Sequence, residues 1–546
     1  MRHFRAPFDC LAVLPAQPDT PPPMPIRNPV LPGFHPDPSI CRVGEDFYLV
    51  NSTFEWFPGV PVHHSRDLKH WRHIGHILTE KRLLDLRGVP DSAGVWAPSL
   101  SHADGRFWLV YTNIHNTGGG RPFKDIRIYL TSSTDILGPW SDPLQLDAIG
   151  FDPSLFHDED GRKYLLNIEW DFRKDHYRFA GIVIREWDPA SGKLIGPRTK
   201  ILQKQGILTE GPNLYQKDGW YHLLLAEGGT GWNHGISAAR SRYLLGPYEL
   251  DPQPSVLTTR HREDWWLQKA GHGEIVQTQY GEWFLAHLGS RPAAGRRCML
   301  GRETCLQRVK WEGGWLRLEN GDVLPEMEIR EPAGLADHPW PPVNERDDFD
   351  APVLDVSWSS LRVPIDESWA SLTEHPGCLR LRGRDSLHSF FEQSMVAKRL
   401  RHFRCTALTR MRFTPEHFTQ MAGLVFYYDT RTHYYLRVTR HEEMGIVLGI
   451  TLTDDGHYDE IADIAVNDWP EFHLRASITE TILRFDASPD GLQWTPIGPE
   501  LDATKVSDDY GSALHFTGAM LGLCCQDLGG DGAFAEFDCF HLSENP

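Results

Sequence analysis

No run in this chain approaches the roughly 18 consecutive apolar residues that a membrane-spanning helix needs, so no membrane partner is expected. Basic residues are the minority: 55 Lys and Arg stand against 74 Asp and Glu, a formal charge of −19. Nucleic-acid binding wants a basic face, so this balance argues against it and suits a soluble protein with a neutral ligand. Cysteine offers neither a disulfide framework nor a zinc ribbon. There are nine, an odd number and scattered, with Cys524 and Cys525 adjacent and no C-x-x-C pair. That pattern fits reduced thiols and a cytoplasmic location. The start of the chain lacks any apolar period. Pro15, Pro18, Pro21, Pro22, Pro23 and Pro25 remove backbone donors there, and the patch from Cys10 to Leu14 is too short for a secretory core. Residues 1–26 are therefore expected to be a disordered extension, with Met24 a candidate start.

A length of 546 residues implies more than one domain, since single cores rarely grow past about 300 residues. Within the chain one short pattern keeps returning. Asp37-Pro38-Ser39-Ile40 recurs as Ala97-Pro98-Ser99-Leu100 and Asp152-Pro153-Ser154-Leu155, then more weakly as Gly211-Pro212-Asn213-Leu214 and His272-Gly273-Glu274-Ile275. The steps are 60, 55, 59 and 61 residues, and each copy is followed by a polar turn and an aromatic strand, such as Asp104-Gly105-Arg106-Phe107-Trp108-Leu109. Five such units predict an all-β, five-bladed β-propeller over residues 27–325. A proline- and charge-rich linker follows at 326–346. From 347 to 546 the repeat disappears, and about ten strand-like runs between turns predict a two-sheet β-sandwich.

Repeat geometry carries the functional argument. Equivalent positions of each blade lie around one axis, so Asp37 and Asp152, with Glu210 one residue before the same position, should converge at one end of the channel. Any single Asp-Pro is more often a turn former. Three carboxylates in one polar funnel, however, are costly unless solvated, paired or used for chemistry. Glycosidic hydrolysis needs one protonated and one ionised carboxyl, and a third can raise the acid's pKa by repulsion. The 19 Trp and 16 Tyr suit sugar stacking, although they also build propeller cores.

Several stretches resemble the β-xylosidases of glycoside hydrolase family 43: residues 28–40, 52–60, 94–98, 150–161, 209–212 and 300–304, continuing to 516–518. The resemblance covers nearly everything after Met24 and implies a propeller followed by a concanavalin-like β-sandwich. It implies an inverting, exo-acting 1,4-β-xylosidase that releases xylose from the non-reducing end of short xylo-oligosaccharides, with α-L-arabinofuranosidase side activity. Carried over by motif, Asp37 is the general base, Glu210 the general acid, and Asp152 tunes that acid. Phe54, Trp96 and Trp170 would wall the sugar ring. Arg302 would donate to its hydroxyls, or else form an ion pair within the last blade. Phe516 would reach from the sandwich over the pocket mouth. His272, at the fifth repeat position, is read as a neutral imidazole bonded to the acid. Ca2+ near it is the alternative, though a lone histidine offers a hard cation little. No cofactor is expected to be required, and a homo-oligomer, dimer or tetramer, is expected through the sandwich. The rival readings are an enzyme that is primarily an arabinofuranosidase, a non-catalytic sugar-binding protein, and a protein-interaction scaffold.

Overall fold

The computed structural model describes residues 25–118, 122–513 and 515–545. The expected disordered extension falls mostly on residues 1–24, outside the described residues. Ile26 is already buried, and Ile26–Arg27 pairs antiparallel with Glu328–Ile329. This pairing ties the two ends of the propeller together and carries it past the expected limit at residue 325.

Five four-stranded antiparallel units follow the repeat. The first is Ser39–Val43, Asp46–Val50, Gly59–Ser65 and Arg72–Leu78; the second is Gly94–Ala103, Arg106–Asn116, Asp125–Ser133 and Leu144–Asp147. The third is Ser154–His157, Lys163–Trp170, Phe179–Asp188 and Lys193–Leu202. The fourth runs from Thr209–Lys217 through Trp220–Glu227 and Gly235–Ser241 to Glu249–Leu250, with Leu257–Thr258 pairing on its third strand. The fifth is Gln268–Gln277, Trp283–Ser290, Glu303–Glu312 and Trp315–Leu318. The first strand of each unit begins at or beside the recurring motif, and these first strands pack against one another around the axis. Two of the polar turns, Asp104-Gly105 and Asp218-Gly219, have both residues at positive φ, the geometry that matches the twist of a two-residue hairpin.

The motif's serines stitch blades together. Ser39 Oγ donates to Glu274 Oε2 at 2.5 Å and accepts from Leu100 N–H at 2.8 Å. Ser154 Oγ donates to the carbonyl of Pro212 at 2.5 Å.

The second domain is a sandwich of two eight-stranded sheets. One sheet is buried on both faces. Leu424, Phe426 and Cys525 point into the sandwich core, while Val425, Tyr427 and Cys524 join the core shared with the propeller. The alternation of a strand, period two, is what lets one sheet serve two cores. Trp56–Phe57, from the first blade, pairs with Ser360 and Leu361 and forms the outermost strand of this sheet. The linker packs on the first blade, where Lys69 bonds Asp337 at 2.6 Å and Asp67 accepts from His338 N–H at 2.7 Å.

Between the domains lies a sealed polar cluster. Arg362 of the sandwich bonds Asp91 of the propeller at 2.6 Å, and its backbone N–H donates to Glu55 O at 2.9 Å. Asp91 also accepts from Thr430 N–H at 3.2 Å. Asp429 lies beside it, with His515 Nδ1 3.6 Å from its Oδ2.

Candidate active site

At the recurring position the backbone turns left-handed in every blade: Asp37 (φ 49°), Ala97 (32°), Asp152 (51°), Gly211 (55°) and His272 (35°). Non-glycine residues rarely adopt this conformation, and five in register mark a kink built into the inner rim. The fourth copy explains why its carboxylate stands one residue early. A Cβ on Gly211 would sit 3.0 Å from His272 Cε1 and 3.3 Å from its Nδ1. The kink there favours glycine, and the acid is carried by the preceding Glu210.

The kinked rim surrounds a cavity of about 160 Å³. Asp37, Asp152, Glu210, Phe54, Trp96, Trp170, His272, Arg302 and Phe516 all line it. Larger cavities on the sandwich, of about 340 Å³ beside Arg412 and about 480 Å³ beside Glu500, gather only exposed carboxylates or, in Glu536, one paired with Arg380.

The three carboxyls are buried yet differ in charge. Burial pushes Asp37 up, but Arg302, whose Nη1 donates to Oδ1 at 2.8 Å, outweighs it together with His272 and Ser52. Ser52 Oγ donates to Asp37 Oδ2 at 2.6 Å and accepts from Ala97 N–H at 2.7 Å, locking the carboxylate to two blades. The net result holds Asp37 below the ordinary carboxylate range. Burial and the negative charge of Asp37 push Glu210 up to about 7, against Arg302 and Lys124. Burial, then the charges of Glu210 and Asp37, raise Asp152 well above its ordinary value. Glu210 and Asp152 are thus both held above the ordinary carboxyl range, while Asp37 is held below it.

Aromatic rings form the walls. Phe54 lies on Phe34 at 5.9 Å, and Trp96 meets Phe151 edge-on at 5.5 Å. Phe516, from the sandwich, reaches both Phe54 (5.6 Å) and Trp96 (5.3 Å). Trp170 is fixed by its indole N–H, which donates to Pro122 O at 2.7 Å.

Two expectations change in detail. Arg302 does not pair within its own blade: it spans from Asp37 of the first blade to Phe516 O of the sandwich, the latter at 3.1 Å. Its Nε is buried without a partner. His272 does not bond the acid. Its Nδ1 lies 4.0 Å from Asp37 Oδ1, and burial, reinforced by Arg302, keeps the imidazole neutral against the pull of Asp37.

Sequence reasoning missed Lys124, Phe151, Phe179, Gly229 and Thr230, all of which line the cavity. Lys124 Nζ stands 5.3 Å from the Trp96 ring centre and 5.0 Å from that of Trp170, placing a cation between two walls. None of these occupies the repeat position. For Phe151 the one available signal was its place directly before Asp152.

The donor set at His272 does not suit Ca2+. The nearby carboxylate oxygen of Asp37 is already held by a guanidinium, and hard cations want several free oxygens. Among the described residues, three groups bring possible metal ligands together, Asp67/His70/Asp337, Cys298/Asp508/Asp509 and His417/Asp527/Asp531, and His272 is in none of them.

Comparison with known proteins bears on this arrangement. Residues 26–316 match the model for glycosyl hydrolases family 43, and residues 346–543 match that for the beta xylosidase C-terminal concanavalin A-like domain. A xylosidase/arabinosidase of Humicola insolens is 44% identical over 94% of this chain and 97% of its own. A xylan 1,3-beta-xylosidase of a Vibrio species is 41% identical over 95% and 99%. The crystal structure of a xylan beta-1,4-xylosidase from Bacillus halodurans is 49% identical, with a TM-score of 0.93, covering 95% of this chain and all of that one. The chain belongs to glycosyl hydrolase family 43 and is a glycoside hydrolase.

Proposed function

We propose that this family 43 hydrolase is an exo-acting, inverting β-xylosidase that removes single xylose units from the non-reducing end of short β-1,4-xylo-oligosaccharides. The observation that carries the reading is the convergence of three buried carboxyls on one small aromatic-walled cavity, with Asp37 bonded to Arg302 and the other two left without such a partner and pushed up by burial.

Asp37, aligned by Ser52 and Arg302, takes a proton from a water as that water attacks the anomeric carbon. The bond to the leaving oxygen breaks as Glu210 gives that oxygen its proton. Burial and the charge of Asp37 keep the acid's proton affinity high, and Asp152, itself pushed up by burial and by its two neighbours, stands beside it. Inversion requires Asp37 and Glu210 to stand roughly 6.5–9.5 Å apart, with the water between them. The small cavity, walled by Phe54, Trp96 and Trp170 and closed by Phe516, supports end-on release of one sugar rather than cleavage within a chain. Hydrolysis in this family generally needs no cofactor. The unpaired state of the eight described cysteines supports a reducing compartment.

NMR of xylobiose hydrolysis tests this. α-Xylose should be released first by the wild type, and the signal should vanish in Asp37→Ala; early β-xylose would mean a retaining nucleophile and a different role for Asp37. The similarity to a xylosidase/arabinosidase favours a second reading, in which α-L-arabinofuranosides are the better substrates. Comparing kcat/KM for the two nitrophenyl glycosides separates them, and a large arabinoside preference would reverse the assignment.

A further inference from the structure

Three pocket walls, Phe54, Trp96 and Phe516, come from distant parts of the chain, and one buried serine connects to all three stretches. Ser92 Oγ accepts from the Phe516 N–H at 2.9 Å. Its carbonyl accepts from the Trp96 indole N–H at 3.0 Å. Its own N–H donates at 3.0 Å to Oε2 of Glu55, the residue after Phe54. Phe54 is in turn bridged to Val95 in both directions, at 3.0 and 3.1 Å, which sets it alongside Trp96. Ser92 is 1% exposed and has φ 58°, a conformation that a residue with a side chain resists. It does not line the cavity and bonds none of Asp37, Asp152 and Glu210.

The strained turn is held from the sandwich side. The preceding residue, Asp91, is gripped by Arg362 at 2.6 Å and by Thr430 N–H at 3.2 Å. Thus the sandwich fixes Asp91, Asp91 fixes the turn, and the turn presents a hydroxyl and a carbonyl to two ring-bearing residues.

We propose that Ser92 is a positioning residue through which the sandwich sets the width of the sugar pocket and hence its affinity for the ring bound there. This rests on the reading of the pocket as a sugar site. Neither the proton donor nor the base bonds to Ser92, so the chemical step should be nearly indifferent to its hydroxyl. Binding should not be, because without the hydroxyl the Phe516 N–H loses its acceptor and the closing residue keeps only the bond from Arg302 to its carbonyl.

Two substitutions separate positioning from simple stability. Ser92→Ala deletes the hydroxyl and keeps the backbone strain; Ser92→Gly deletes the hydroxyl and relieves the strain. In the full-length enzyme, both should raise KM for a nitrophenyl xyloside, and the Kd for free xylose measured by calorimetry, by about fivefold, the size expected for one lost hydrogen bond. The value of kcat and its pH profile should stay close to wild type, while Ser92→Gly melts higher than Ser92→Ala. Affinity unchanged in both variants overturns the proposal. So does affinity that follows melting temperature, with glycine restoring it. If Ser92→Ala does not fold, Ser92→Gly alone decides by its KM and Kd. An active wild type with unaffected variants would remove only the role of Ser92; a wild type that neither hydrolyses xylosides nor binds xylose would remove the sugar-site reading with it.

Discussion

The pocket of Asp37, Asp152 and Glu210 and the interface cluster of Glu55, Asp91 and Asp429 are built from the same parts. Each has three carboxylates, one arginine bonded to one of them, and one neutralised histidine nearby, His272 or His515. Their acids are perturbed alike. Burial and a neighbouring charge push Glu210 up to about 7 in one, and Glu55 up to about 8 and Asp429 up to about 7 in the other. A shifted carboxyl therefore does not by itself mark chemistry in this molecule. Access does. The first set opens on a cavity walled by aromatic rings, whereas Glu55 and Asp429 are 0% and 1% exposed and Glu55 spends its oxygen on the Ser92 N–H. One cluster faces a cavity, where the proposed function has it give a proton to a substrate, and the other uses its bonds to join two domains.

The comparison breaks most visibly in rate. Glu210→Gln should lower turnover of xylobiose by about 10²–10⁴-fold and leave the melting temperature nearly unchanged. A comparable rate loss in Glu55→Gln would mean that the interface acid is catalytic too. In stability the order reverses. Arg362→Met leaves Asp91 buried without its partner and should cost about 3–5 kcal/mol in denaturant unfolding, because removing one member strands the other's charge. Substitution of an exposed partner such as Arg484, paired with Glu500 on the surface, should cost well under about 1 kcal/mol.

The sharpest discriminator is pH. Glu55 and Asp429 hold protons in the folded protein at pH values where the unfolded chain has released them. The contribution of these two groups to stability is therefore fully present below the unfolded carboxyl range of about 4.5 and is lost as pH rises towards about 8. Glu55→Gln should flatten that decline by on the order of 1–2 kcal/mol without moving the rate profile. The rate profile of the wild type should instead fall on its alkaline side near pH 7, where Glu210 loses its proton, and on its acid side only below the ordinary carboxylate range, where Asp37 gains one.

The repeat made the propeller and its three carboxylates legible because position within a blade is encoded every 55 to 61 residues. It also made Glu210 look displaced, and the reason lies in space rather than in sequence: the ring of His272 occupies the volume beside Gly211. Phe516 could be named only through resemblance, since a phenylalanine in a sandwich loop carries no sign of reaching another domain. Lys124 and Ser92 lie outside the repeated motif, and their roles arise largely from contacts distant in sequence, such as Ser92 with Phe516 and Lys124 with Trp170. The interface cluster was hidden for the same reason. Asp91, Arg362 and Thr430 are ordinary surface residue types until the two domains close over them.

The short pairing of Trp56–Phe57 with Ser360 and Leu361 has a consequence for biosynthesis. The first blade emerges from the ribosome carrying an edge strand that belongs to a sheet translated some 300 residues later. Until then two apolar rings, both fully buried in the finished protein, have no sheet to complete. The sandwich made alone would meet the converse difficulty, an open edge at Ser359–Leu361 that offers unpaired backbone to any passing strand. Cutting the gene at the linker would thus yield two sticky halves rather than two domains, and the chain's single reading frame acts as the chaperone of its own sheet.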